Sequence, residues 1–115
     1  MSHHSNIIDF NDFTKVRMHA GTIITAIMNH KARKPAYVLE IDFGDLGIKT
    51  SSAQITEHYS PDDLIGCQII AVMNFMPKNI AGITSEVLVL ACVSKENGTI
   101  LLHPSKQVPN GSPVL

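Results

Sequence analysis

The stretch VRMHAGTIITAIM, residues 16–28, is the longest strand that the sequence predicts. Alternate side chains of a strand share one face, and here that face would carry Val16, Met18, Ala20, Thr22, Ile24, Ala26 and Met28. Gly21 lies near the middle, and a glycine inside a strand indicates a bulge or a sharp bend. We therefore expect one long, bent strand.

Shorter strands follow it. Residues 37–43 alternate strictly, which places Tyr37, Leu39, Ile41 and Phe43 on the side that we expect to be buried. The next segments are a Gly44–Gly47 turn, residues 48–50, two apolar strands at residues 68–74 and 87–93, and an Asn97-Gly98 hairpin signal before residues 99–103.

Three short helical segments are predicted between these strands. Asp9 can cap a helix that runs to Lys15. The sequence Ser-Ser-Ala-Gln at residues 51–54 fits a capping box, with Ser51 as the cap. Ser60 and Pro61 predict a further helix start, which Gly66 would end.

The element order is strand–strand–strand–helix–strand–strand, which favours an all-β, five-stranded OB-fold Greek-key barrel with short helices and N- and C-terminal extensions. With 115 residues, one domain is expected. We predict a flexible N-terminus at residues 1–8, then a single OB-fold domain at residues 9–115.

Composition restricts the function further. A formal net charge of −1 provides no overall basic field that would attract nucleic acid. The N-terminus lacks the pattern of a secretory signal, and the longest apolar run, residues 87–93, is too short to span a bilayer. We therefore expect a cytoplasmic protein without membrane insertion, in which Cys67 and Cys92 are buried, reduced thiols; a disulfide or a reactive thiol is the alternative.

No pattern predicts catalysis. The chain lacks a Gly-rich phosphate loop, a nucleophile elbow and a Cys–His constellation, and its six histidines, including His3 and His4, are dispersed without metal-ligand spacing. We expect a protein that is not an enzyme, with no catalytic residues, no metal site and no cofactor.

The loop between the two apolar strands carries the first candidate site. Phe75, Met76, Ile80 and Ile83 are apolar side chains that a solvated loop does not need. They pack onto the core or a dimer interface, or else they line a peptide-binding groove, for which flexible methionine is well suited. Asn74 and Glu86, at the two ends of this loop, are expected to accept hydrogen bonds from it.

Basic residues form the second candidate site, an RNA-binding patch of Arg33, Lys34, Lys49 and Lys78. The alternative is an ordinary solvated surface. OB barrels present oligonucleotides to the second and third strands. Proteins that bind single strands also need stacking aromatics, and this chain has no Trp, two Tyr and four Phe.

Both ends of the chain predict an interface. Phe10 and Phe13 share a face of the first helix, and the C-terminal segment is turn-rich. A barrel this small makes poor use of them, so we expect a homodimer with a C-terminal dimerisation extension.

Several segments in order resemble the CsaA family of export-related chaperones. They are Gly21–Ile23, Ala32–Tyr37, Ile41–Gly44, Gly47–Lys49, Ser51–Thr56, Asn74-Phe75, Ile80–Gly82, Ser85–Leu90 and Val108–Gly111. The resemblance covers about residues 9–112. It implies a homodimer of the OB-fold tRNA-binding domain that binds unfolded preprotein segments, with the export motor SecA as a candidate partner. The alternative function is the binding of tRNA.

The chain departs from the family at two places. Arg17, Met18 and His19 stand where the family usually has Asp-Ile-Arg. Met76, Asn79 and Ala81 occupy the loop in which tRNA-binding relatives often carry basic residues. The second departure weakens the tRNA interpretation more than the chaperone interpretation.

Overall fold

An antiparallel five-stranded sheet forms the body of the protein, in a computed structural model that describes residues 6–115. Across the sheet, neighbouring strands follow the order 48–53, 37–42, 18–28, 68–72 and 88–89. His3, His4 and most of the N-terminus predicted to be flexible lie outside the described residues. The five strands are β1 (Met18–Met28), β2 (Tyr37–Asp42), β3 (Ile48–Ala53), β4 (Gln68–Val72) and β7 (Leu88–Val89). The sheet curls into a nearly closed barrel, which confirms the all-β OB fold.

Two two-stranded ribbons and short helices are the other regular elements of the described residues. The ribbons are β5 (Lys78–Ile80) with β6 (Ile83–Ser85), and β8 (Ala91–Ser94) with β9 (Gly98–Leu101). The helices are α1 (Phe10–Thr14), α2 (Pro61–Leu64) and a single 3₁₀ turn at Gly44–Leu46.

The alternation along β2 builds the barrel core, as predicted. Tyr37, Leu39, Ile41 and Phe43 are all buried, the last three of them completely. They pack with buried side chains of β1, β4 and α2, so that one apolar cluster holds the sheet in its curled form.

Gly21 serves close packing rather than a bend. A Cβ atom at this position would lie 2.6 Å from the Phe43 ring and 2.8 Å from Ile41 Cγ2. The irregularity in β1 occurs further along, between Ile23 and Thr25 in the pairing with β2. Because a bulge changes the phase of alternation, the predicted face is wrong in part.

The exposure of side chains along β1 shows that the alternation between inward- and outward-facing positions shifts at the bulge. Ile24 and Ala26 were predicted to share one face, but Ile24 is exposed and Ala26 is buried. Ile23, predicted on the opposite face from Ala26, is completely buried. The glycine indicated a bulge or bend in this strand, but the position of the bulge between Ile23 and Thr25 depends on the register with β2.

The helix predicted from the capping box at residues 51–54 is wrong. Residues 51–53 end β3, where Ser51 pairs with Leu39 and Ala53 with Tyr37 of β2. The Ser51 hydroxyl, which was expected to cap a helix, is buried and donates to the Val87 carbonyl. Strand pairing is preferred over the local capping box because it satisfies more backbone hydrogen-bonding groups at once.

The single strand predicted at residues 87–93 is also wrong, because the chain changes partners at Leu90. β7 pairs with β4, whereas β8 pairs with β9. Leu90 joins the two, since its N–H donates to Ile70 O and its carbonyl accepts from Leu102 N. The other apolar strand, expected at residues 68–74, ends at Val72.

The other two helices predicted from capping residues are confirmed. The Asp9 N–H donates to the Asp12 carboxylate at 3.2 Å, and the Ser60 N–H donates to that of Asp63 at 3.0 Å. Hydrogen bonding from the backbone of Ser60, and then from its side chain, lowers the pKa of Asp63. The predicted hairpin at Asn97-Gly98 joins β8 to β9.

Neither cysteine is buried, so the sequence prediction is wrong. Cys67 lies between α2 and β4, where its thiol donates to Asp63 O, and Cys92 lies on the two-stranded β8–β9 ribbon. Both are exposed, free thiols. Their apolar sequence neighbours suggested a core, but neither position faces the barrel interior.

The C-terminal segment packs against the barrel through its Val108–Gly111 motif. Gln68 bonds the backbone of Val108 twice, accepting from its N–H at 2.9 Å and donating to its carbonyl at 2.7 Å. The Thr22 hydroxyl donates to Asn110 Oδ1 at 2.7 Å. Gly111 fits because a Cβ there would lie 2.6 Å from Phe43 O.

Gly21→Ala is expected to lower the free energy of unfolding by about 1–3 kcal/mol, because the added methyl group overlaps the Phe43 ring. Urea unfolding measures it. Combining it with Phe43→Leu removes the overlap with the ring, so the double variant should lose less stability than the sum of the two single variants. If the stability losses of the two single variants simply add, overlap with the Phe43 ring is not the cause of the loss in Gly21→Ala.

Candidate functional site

A mixture of backbone and side-chain hydrogen bonds, in place of a regular strand ladder, closes the barrel along the free edge of β3. Glu86 N–H donates to Thr50 O at 2.7 Å, and the Glu86 carboxylate accepts from Thr50 N–H at 3.0 Å. Ser85 Oγ accepts from Ser52 N–H at 3.0 Å. We call these contacts, together with the Ser51–Val87 bond, the closing seam. Glu86 is an acceptor, as predicted, but its donor is Thr50 of β3 and not a residue of the loop.

Asn74 secures the opposite end of the loop. Its Oδ1 accepts from Arg17 N–H at 3.0 Å, and its Nδ2 donates to Lys15 O at 2.7 Å. The predicted role of Asn74 as an acceptor is therefore also confirmed, and its partner is the junction between α1 and β1. The chain between Asn74 and Glu86 is held at both ends.

The β5–β6 hairpin projects from this loop with a two-residue turn. Ile80 pairs with Ile83, and both residues between them have positive φ, 50° at Ala81 and 84° at Gly82. That combination defines the turn that matches strand twist in hairpins. Above the turn lies Lys31, whose Nζ would be 3.9 Å from a Cβ at Gly82. The hairpin tip therefore meets the basic loop at residues 31–34.

An apolar cleft of about 440 Å³ opens between this hairpin and the closing seam. Phe75 is 56% exposed and Met76 88% exposed, so neither belongs to the barrel core. The residues that line the apolar cleft are Ser52, Phe75, Met76, Lys78, Ile80, Ser85, Glu86, Val87 and Leu88. Partly covered apolar walls with a few polar groups are typical of ligand sites.

A basic cleft of about 530 Å³ adjoins it. Its lining residues are Lys31, Ala32, Arg33, Lys34, Ala36, Ser52, Gln54, Ile80 and Ala81. Ser52 and Ile80 line both clefts, so a single extended ligand can contact the two surfaces at once.

The structure brings together most of the residues singled out in the sequence. Three of the four peptide-site candidates line the apolar cleft, and Lys78 lines it beside them, while Arg33 and Lys34 line the basic cleft. Ile83 and Lys49 line neither cleft. Lys49 shares the alternation of Ser51 and Ala53, and so lies on the opposite face of β3 from Ser52.

Sequence reasoning missed Leu88 and Ser52 as lining residues. Leu88 was hidden in a run expected to be a buried strand, yet it is 49% exposed. Ser52 was assigned to a helix. Lys31, close to Arg33 in the sequence, also lines the basic cleft, although it is not part of the predicted RNA-binding patch.

Residues 6–115 contain neither a candidate metal site nor a membrane-spanning helix. No three His, Cys, Asp or Glu side chains in that range lie close enough to hold a metal ion. No helix among the described residues is long and apolar enough to cross a membrane.

Comparison with known proteins places this geometry in a family. Residues 18–113 match the model of a putative tRNA binding domain. The crystal structure of the chaperone CsaA from Bacillus anthracis str. Ames is similar with a TM-score of 0.90 and 50% identity, covering 95% of this chain and 99% of that one. CsaA chaperone protein from Picrophilus torridus gives a TM-score of 0.88 and 46% identity, covering 95% and 100%.

Longer proteins share the domain. Methionine–tRNA ligase of Flavobacterium johnsoniae is 31% identical over 109 residues, which are 95% of this chain and 15% of that enzyme. The chain thus spans about 15% of the length of such relatives. It belongs to the tRNA-binding domain family and, within that family, to the CsaA proteins.

Glu86→Ala is expected to lower the free energy of unfolding by about 1–3 kcal/mol, because it leaves the half-buried Thr50 N–H without its acceptor. Glu86→Gln keeps an acceptor and should cost less than about 1 kcal/mol. Chemical denaturation of the two variants measures the difference. Equal losses would mean that the hydrogen bond does not stabilise the closing seam.

Proposed function

We propose that this chain is a non-enzymatic, homodimeric chaperone of the cytoplasm that binds apolar segments of unfolded polypeptides, preproteins among them, in the apolar cleft. The observation that carries the proposal is the exposure of Phe75, Met76 and Leu88 around one cleft. Membership of the CsaA proteins supports it, since the two CsaA structures are described as chaperones. Engagement of SecA stays a prediction.

Weak and rapidly exchanging binding suits such a role. Burial of apolar area contributes roughly 25 cal/mol per Å², and ordering a flexible peptide offsets much of it. Met76, with its flexible and polarizable side chain, can adapt to different apolar partners. We therefore expect micromolar dissociation constants.

RNA binding is the second candidate function. The family description and the basic cleft both favour it. Arg33 and Lys34 would contact phosphates there, and Lys78 would do so from the adjoining apolar cleft. Lys49 is a further predicted contact, from the other face of β3. Affinity from such contacts falls steeply with salt, whereas an apolar cleft responds much less.

The dimer part of the proposal rests on an apolar groove at the chain ends. The C-terminal residues run beside β1, where Val114 N–H donates to Met18 O and His19 pairs with Pro113. Together with α1 they frame a groove of about 180 Å³ lined by Phe10, Phe13 and Leu115. Phe10 is 76% exposed. A second copy of the chain is the proposed occupant, because an apolar patch of this kind marks interfaces.

Phe75→Ala combined with Met76→Ala is expected to weaken the binding of an unfolded, labelled preprotein segment about tenfold or more, because the variant removes much of the apolar wall. Fluorescence anisotropy measures the dissociation constant. The matched control is Val93→Ala, which truncates an exposed apolar side chain on the β8–β9 ribbon.

Adding bulk tRNA to the same titration separates the two functions. Peptide that stays bound at low and at near-physiological salt supports the chaperone proposal. Tight tRNA binding at near-physiological salt, with release of the peptide, would make the chain an RNA-binding module first. Unchanged peptide affinity in the double variant would exclude the apolar cleft as the site.

Phe10→Glu is expected to convert the dimer to a monomer, because it places a charge in the apolar groove at the chain ends. Light scattering at micromolar concentration measures the mass, and Val93→Glu is the control of equal charge. A monomeric mass for the unaltered chain would contradict the dimer.

A further inference from the structure

The cations of the two clefts lack acidic neighbours. Among residues 6–115, the ion pair that forms is Lys15 with Asp12, at 3.6 Å on α1. Lys31, Arg33, Lys34 and Lys78 therefore have no carboxylate within 4 Å in the described structure. These four residues, out of nine Lys and Arg in the chain, line the two adjoining clefts.

The acidic residue in the apolar cleft forms no ion pair with these cations in the described structure. Glu86, which lines the apolar cleft, is the one carboxylate among the residues that line either cleft. It accepts the hydrogen bond of Thr50 N–H in the closing seam. A ligand that crosses from the apolar cleft into the basic cleft therefore meets apolar walls first and uncompensated cations next.

The side chains around the basic cleft favour carboxylates over nucleobases. Its lining holds three cations, Ser52 and Gln54, and no aromatic ring. Proteins that bind single-stranded nucleic acid combine cations with aromatic side chains on which the bases stack. An acidic peptide needs no such ring, because opposite charge and nearby donors suffice for its carboxylates.

We propose that the joined clefts select extended polypeptide segments in which acidic residues directly flank an apolar stretch. This selectivity rests on the proposed peptide binding in the apolar cleft. The apolar side chains occupy the cleft beside Phe75 and Met76, and the acidic flank crosses Ser52 and Ile80 to reach Arg33 and Lys34. The basic start of a secretory signal is disfavoured on the same surface, which directs binding toward acidic segments elsewhere in a client.

The test compares three labelled peptides that share one apolar core of leucine and phenylalanine, with flanks of glutamate, serine or lysine. At about 0.05 M salt the glutamate peptide should bind about tenfold tighter than the lysine peptide, the sum expected for two exposed ion pairs. The serine peptide should lie between them. At about 0.5 M salt the difference should shrink to about twofold, because screening shortens the reach of the charges.

Charge reversal assigns the selectivity to this surface. R33E combined with K34E should invert the order of the three peptides, and Arg33→Gln with Lys34→Gln should abolish the difference without inversion. The matched control, K95E with K106E, changes the net charge equally at exposed lysines outside both clefts and should keep the order.

Two failures are distinguishable. Equal affinity for all three peptides, or tightest binding of the lysine peptide, overturns the selectivity and leaves the apolar cleft in place. No binding of any peptide overturns the proposed function as well. If R33E with K34E abolishes only the binding of tRNA and keeps the peptide order, the cations serve RNA and the selectivity is overturned.

Discussion

The closing seam between β3 and residues 85–87 is the constraint on which the rest of the structure depends. The barrel is closed there by a mixture of backbone and side-chain hydrogen bonds, with Glu86 both donating to and accepting from Thr50. Such bonds cost more to leave unmade than they contribute when formed. The seam therefore fixes the end of the 74–86 loop and, with it, the walls of both clefts.

The irregular closing seam leaves side chains beside it partly uncovered. Neither Ser52 nor Ile80 is fully covered, and both line the two clefts. The hairpin above them lies under Lys31, which comes from the β1–β2 loop. Apolar and basic surfaces thus meet because three separate chain segments converge where the barrel closes.

Much of the barrel was predictable from residues alone. The alternation of Tyr37, Leu39, Ile41 and Phe43 identified the core, because burial on one side of a strand leaves a period of two in the sequence. Asn74 and Glu86 were recognised as hydrogen-bonding residues at the ends of an apolar loop. In the site, Phe75, Met76 and Ile80 were identified because a solvated loop has no need of such side chains.

The errors have a common cause in pairing across the sheet. Ser51 fits a helix cap locally, yet its partner is the Val87 carbonyl, thirty-six residues away. The bulge in β1 and the change of partner at Leu90 likewise depend on distant strands. Cys67 and Cys92 look apolar in sequence, but their positions outside the barrel leave them exposed.

By itself, the sequence determined most strands of the barrel, two of the three predicted helix caps, the buried face of β2 and the residue types from which a binding surface can be built, because these follow from local spacing and chemistry. The tertiary structure alone decided that Arg33 and Lys34 adjoin Ile80, that Lys49 and Ile83 line neither cleft, and that Leu88 is exposed. Those facts depend on register and on barrel closure, which arise from contacts between residues far apart in the chain.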